Sequence, residues 1–506
     1  MLSFFKFPRE LRDAIYRQYV TFEGGYVLNP ETNRMRGAVN DLPVDLALMY
    51  TCKRVAEEMK GLPLKANTLT FSTFYPPEHR VHAGYFHLAM RELHGNLDAF
   101  VCLLPRRFLH EDIQAEITDC YPKYEPVIEM MRTKRDAHRE VIPSGPFGET
   151  PSTHRSFIRF VLQTLSFYRF RFNDEFGRLC DNAGQSPMDI ARLIDYSPAP
   201  WAIPTQQEVE EMLWLLYGTH TFEEDASYGL WDNDSNPGLS KFRYSAVAVA
   251  IRFLESVTPA HRAQIRHIKL MEDRESVSNP ECHALGLIPF CRENPLLRVE
   301  RHISLWRNVF LHHTAYKTFF DRLRFEASLE ANEISGAVAL WIMEALALGP
   351  AGMPSGSFTL VLDGDGDTRC SEIFQTVVLR DAAWQEAMDE CYSRGILPPQ
   401  PWAKRRQNPR SRGDGPGGVA YEKAANHSYL YEGFPQAIRD IVNGTSVVRC
   451  NFDPGEYEDV EQLIETRKTW TLAEWKGKWY ERVTKSFEPS PPLPSWKDIL
   501  REFLLE

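Results

Sequence analysis

The chain has 506 residues, too many for one ordinary hydrophobic core, so several domains or one extended array are expected. Hydrophobic residues at 43%, aromatics at 12% and charged residues at 25% are globular proportions and exclude a wholly disordered chain. The formal charge of −11 argues against binding a phosphate backbone along the whole surface, which needs clustered Lys and Arg. Nine cysteines lie at irregular spacing with no CxxC, as expected of free, mostly buried thiols in a reducing compartment. No secretory leader is expected from Lys6, Arg9 and Glu10, and the longest apolar run, near Ala337–Leu348, is shorter than the ~20 residues of a membrane span.

In chain order, Pro8 suits the first turn of a helix on which Leu11, Ile15 and Tyr19 form an apolar face, with Arg9, Glu10, Arg12, Asp13 and Arg17 in water. Residues 22–40 read as a small hairpin. Leu48, Cys52, Val55 and Met59 mark a second helix, and Thr68–Phe71 a strand.

These segments are Phe7-Pro8-Arg9-Glu10-Leu11-Arg12-Asp13-Ala14-Ile15-Tyr16, then Thr51-Cys52-Lys53-Arg54-Val55-Ala56-Glu57-Glu58, then Asn67-Thr68-Leu69-Thr70-Phe71. Together they resemble the F-box-like proteins of filamentous fungi, which open with a Phe-Pro-x-Glu-Leu-Arg helix, a Thr-Cys helix ending in Glu-Glu, and an Asn-Thr strand. The resemblance covers about Phe4 to Ser72. It implies a non-enzymatic protein–protein interaction protein, a substrate-recognition component of a cullin-type ubiquitin ligase, without cofactor, in the cytoplasm or nucleus. The implied partners are a Skp-type adaptor and a protein substrate. Pro8, Leu11, Ile15 and Tyr16 match the adaptor-facing helix; the alternative role for them is the core of a small N-terminal bundle.

Further on, helices are expected at 83–94, 125–139 and 157–168, then a strand at 168–172 from its strict alternation. Thr205 and Glu208 form a capping box ahead of Val209, Met212, Leu213 and Leu216. Leu216–Phe222 echoes Lys65–Phe71, either an internal duplication or a common helix-to-strand junction. A helix at 245–256 and a strand at 265–270 follow. Residues 289–324 read as containing a helix of about five turns. Then come a helix at 333–348, strands at 357–362 and 374–379, and a helix at 382–393. Beyond a Pro- and Gly-rich linker at 398–418 come a helix at 434–442, a strand at 446–452 and a second capping box at Thr471 and Glu474. The terminal helix at 495–505 either docks back on the body or inserts into a partner.

The expected fold is mixed α+β and helix-rich, with an F-box-like helical unit ahead of an irregular α/β body with short strands. Its divisions are residues 1–75 (the helical unit with its hairpin insertion), 76–150 (a helical connector), 151–397 (the body), 398–418 (a disordered basic Pro/Gly linker), 419–488 (a small α/β part) and 489–506 (a Pro-rich spacer and amphipathic helix).

Other motifs offer weaker chemistry. Asp363-Gly364-Asp365-Gly366-Asp367 could present carboxylates to a divalent cation, but an EF-hand would need Gly and Glu where Thr368 and Phe374 stand. Cys282-His283 and His312-His313 are adjacent pairs that point apart, so no metal is expected. Lys404–Arg406 through Arg412 reads as a solvated linker or a nuclear-import signal. No hydrolase or nucleotide-binding motif occurs, leaving a fungus-specific scaffold, or an enzyme with an unrecognised site, as the alternative functions.

Overall fold

The computed structural model describes residues 4–78, 80–104, 108–133, 148–168, 190–217, 241–314, 329–398, 404–405, 419–420, 429–482 and 485–503. The expected strand at 169–172, the echo at 218–222 and most of the basic linker lie outside these residues. The fold is helix-rich α+β, and its organising element is one seven-stranded sheet.

The N-terminal segment contributes three of the strands. The helix Arg9–Val20 leads into a hairpin, β1 (Tyr26–Asn29) and β2 (Arg34–Gly37). Two short helices, Lys53–Glu58 and Leu62–Ala66, then deliver β3 (Thr68–Ser72). Gly25 makes the close approach between hairpin and β3: it sits at φ +76°, and a Cβ there would lie 2.3 Å from the Thr68 carbonyl oxygen.

The remaining strands are β4 (His267–Glu272), β5 (Arg298–Ser304), β6 (Phe358–Asp363) and β7 (Val448–Cys450). The order is β7-β6-β5-β4-β3-β1-β2, parallel throughout except for the β1–β2 hairpin. From β3 onward each strand lies beside the one before it in the chain. The sheet thus joins the expected 1–75 unit to the body.

One face of the sheet is buried. Leu69, Phe71, Ile268, Leu270, Val299, Ile303, Leu360 and Leu362 pack under the helices Ala246–Ser256, Ile288–Glu293, Ala331–Ala347 and Phe434–Val442. The opposite face carries Thr68, Thr70, His267, Lys269, Met271, Arg298, Glu300, His302 and Thr359, exposed or half-buried, with Ser304 and Val361 as buried members. A parallel sheet is usually covered on both faces. Among the described residues, helices cover this one on a single face.

Two expectations fail. The five-turn helix expected on Leu305, Val309, Phe310, His313, Phe320 and Leu323 does not form in its described half, where 305–308 is a turn and Val309–Thr314 a 3₁₀ turn; 315–328 lie outside the described residues. The helix Ile288–Glu293 and β5 precede it. Val299 and Ile303 face the core in β5, but Arg301 stands between them and breaks the apolar alternation. Residues 374–379 are helix rather than strand, a widened π turn (Phe374–Val378) within a helical run from Arg369 to Ser393. Phe374, Val377 and Val378 are buried at i, i+3, i+4, the helical period.

A second core, with Leu97, Phe100, Ile113, Tyr124, Phe157, Val161 and Leu165, unites helices Arg80–Leu103, Glu111–Cys120, Glu125–Thr133 and Pro151–Tyr168. It spans the expected boundary at residue 150. A third gathers Trp384, Trp475 and Trp479 from Leu379–Ser393 and Leu472–Arg482. Both predicted capping boxes form: the Thr205 N–H donates to Glu208 at 2.7 Å and that of Thr471 to Glu474 at 2.6 Å. The terminal helix, Trp496–Arg501, docks on the body, with the Trp496 ring 5.9 Å from that of Trp306.

Candidate partner-binding surface

The first helix buries a different face from the one its hydropathy suggests. Arg12, Tyr16 and Val20 point inward at i, i+4, i+8, whereas Leu11 is 52% and Ile15 46% exposed. The cause lies 46 residues away in Glu58, which accepts from Arg12 Nε at 2.9 Å and Arg12 Nη2 at 2.8 Å. The Tyr16 hydroxyl donates to the same carboxylate at 2.9 Å, and Arg54 Nε reaches it at 3.0 Å. The Arg12 hydrogen bonds lead in holding Glu58 well below the usual carboxylate range. A charged residue is buried because a bidentate partner waits for it.

This clamp fixes which residues reach solvent. Phe7, 40% exposed, and Pro8 precede the helix, and Leu11 and Ile15 continue the apolar stripe along its outer side. Of the four residues matched to an adaptor-facing helix, Pro8, Leu11 and Ile15 are on the surface. Tyr16 is corrected: it is fully buried and supports the stripe from behind through Glu58. Leu11 and Ile15 are not core residues of a small bundle. That bundle is made by Tyr16, Val20, Val55 and Met59. Phe7 belongs to the surface although the motif match did not select it.

No family model matches the chain, and neither does any curated protein or solved structure. The geometry of the chain's own residues therefore carries the functional reading.

The other candidate sites resolve into structural roles. Asp363–Asp367 is a strand-to-helix turn at the C-terminal end of β6, with Asp365 at φ +54°. Asp363 accepts from Asn451 Nδ2 at 2.6 Å, Asp365 from the Ser304 hydroxyl, and Asp367 from the Ser490 N–H at 3.0 Å. Burial pushes Asp365 up to about 6. Each carboxylate serves a different neighbour, and among the described residues no three His, Cys, Asp or Glu converge as a metal set.

His283 is buried between Ser245 Oγ (2.7 Å) and the Ser278 carbonyl (2.8 Å), and burial lowers it to about 3. The Cys282 Sγ, pushed up to about 12 by burial, lies against the Asn279 carbonyl. A thiol so disfavoured as thiolate is a poor nucleophile.

An open cleft of about 760 Å³ lies beyond the ends of β1 and β3, lined by Phe74, Pro76, Pro77, His82, Tyr244 and Arg252 among others. Its lining contains no Cys or Ser. Among the described residues no helix is long and apolar enough to cross a membrane.

Proposed function

We propose that the chain is a non-enzymatic protein-interaction module that docks through its first helix, as the substrate-recognition component of a cullin-type ubiquitin ligase. The observation that supports this most is the solvent-facing stripe of Phe7, Pro8, Leu11 and Ile15 on a helix clamped from behind by Arg12 and Glu58. Each large apolar side chain gains roughly 1.5–3 kcal/mol when fully buried, so a partner covering three of them gains substantially. The segment that resembles an F-box presents this stripe, and a Skp-type adaptor is the partner the resemblance implies. Such a component works in the cytosol or nucleus.

The test is capture from a fungal extract with the tagged full chain. Recovery of a Skp-type adaptor and a cullin, lost in Leu11→Asp/Ile15→Asp, is the expected result. A folded wild-type chain that recovers neither overturns the proposal. Because both residues are exposed, the variant is not confounded by unfolding, which a unique melting transition verifies.

A further inference from the structure

The open face of the sheet also carries more cations than carboxylates. Strand alternation and register place Arg34 and Arg36 of β2, His267 and Lys269 of β4, Arg298 and His302 of β5 and Arg449 of β7 on this face. Its carboxylates are Glu300, opposite Lys269 in register, and Asp363 at the far end of β6. Arg36 is paired with Asp41 at 3.0 Å. Arg34, Lys269, Arg298 and Arg449 form no ion pair among the described residues. Between the charges lie Thr68, Thr70, Ser72 and Thr359 together with Val27, Met271 and Val361, and no Phe, Tyr or Trp. A chain of net charge −11 has thus gathered cations without ion pairs on the sheet face that its described helices leave open.

We infer that this face is a docking surface for an extended acidic peptide. The charge pattern selects the occupant. Fixed cations with hydroxyl groups between them suit carboxylates and backbone carbonyls in alternation. A nucleic acid would find no Phe, Tyr or Trp to stack on and would be repelled at a distance by the acidic remainder of the chain. The cations run from β2 to β7 across seven strands. At the usual strand spacing that is about 29 Å, the reach of about nine extended residues. The surface shares no residue with the Phe7–Ile15 stripe, so the inference stands or falls separately from the adaptor proposal.

The experiment is fluorescence anisotropy of the full chain with a labelled Asp/Ser peptide of about ten residues, at about 50 and 200 mM salt. Saturable binding that weakens with salt, and falls at least about tenfold in Lys269→Glu/Arg298→Glu, is expected. The variant must keep the wild-type circular dichroism and melting temperature; if it does not, Arg34→Glu/Arg449→Glu on the outer strands takes its place. Absence of binding at low salt, equal binding to the charge-reversed variant, or tighter binding of a single-stranded DNA of matched charge would each overturn the inference.

Discussion

Single side chains decide much of this molecule because several charges are buried. Arg301, 1% exposed, donates to Glu272 from Nη2 at 2.8 Å, to the Pro280 carbonyl at 2.7 Å, and lies 4.7 Å from the centre of the Trp341 ring. Glu272 in turn accepts from the Ala246 N–H at 3.0 Å at the head of a helix. Removing one member of such a pair strands the other, at a cost of about 3–5 kcal/mol. Arg301→Met should therefore lower the urea midpoint strongly with an unchanged slope. A loss below about 1 kcal/mol would mean that Glu272 finds water or protonates freely.

Glu344 gives a pH signature. It is buried, accepts from the Ser152 N–H at 2.8 Å, and burial raises it to about 7 although Arg155 opposes the shift. A carboxyl raised on folding keeps its proton in the native state while the unfolded chain releases it. Stability should therefore decline as pH rises from 4.5 toward 7. The full effect is about 3 kcal/mol above that window. Glu344→Gln should flatten this decline and melt higher than wild type at pH 8. Parallel melting curves across the window would refute it.

At the scale of elements, the first helix separates stability from recognition. Leu11→Ala and Ile15→Ala should change stability by no more than about 0.5 kcal/mol. Tyr16→Phe should cost about 1 kcal/mol by removing a hydrogen bond to Glu58. Urea titrations of the three variants check the ranking. A sequence reading reached the helix but not its orientation, because the reason Arg12 turns inward is a carboxylate on another helix. β5 was hidden for the same reason: Arg301 occupies a core position that only the distant Glu272 makes tolerable. Segments whose burial follows their own hydropathy, such as Ala246–Ser256, Ala331–Ala347 and Phe434–Val442, were legible, as were both capping boxes, whose partners are local. The Phe374–Val378 segment misled because β-branched residues favour strands, while its three buried positions follow the helical period. Of the candidate surface, the motif located Pro8, Leu11 and Ile15, and packing alone excluded Tyr16.

For the whole molecule, the sheet gathers strands from residue 26 to residue 450, and the C-terminal segment packs just beyond the ends of β4 and β5. Glu502 receives Arg274 at 2.8 Å and Arg307 at 3.2 Å, and the Phe503 carbonyl accepts from the Lys241 N–H at 2.8 Å. Trp496→Ala should cost about 3–5 kcal/mol. Deleting residues 489–506 should expose Trp306 to solvent, shifting its fluorescence to the red. Unchanged emission would mean that the terminal helix does not cover it.

The pairing of β3 with β4 has a consequence for biosynthesis. Thr73 Oγ1 donates to Asp273 Oδ1 at 2.7 Å across 200 residues of sequence. At about 5–20 residues per second, a ribosome needs roughly 10–40 s to supply the partner strand. Throughout that interval the nascent hairpin and β3 present an open strand edge, the template for wrong pairings between neighbouring chains on a polysome. Slower translation between codons 73 and 273 is therefore expected to lower the soluble yield, which synonymous slow codons placed there would test.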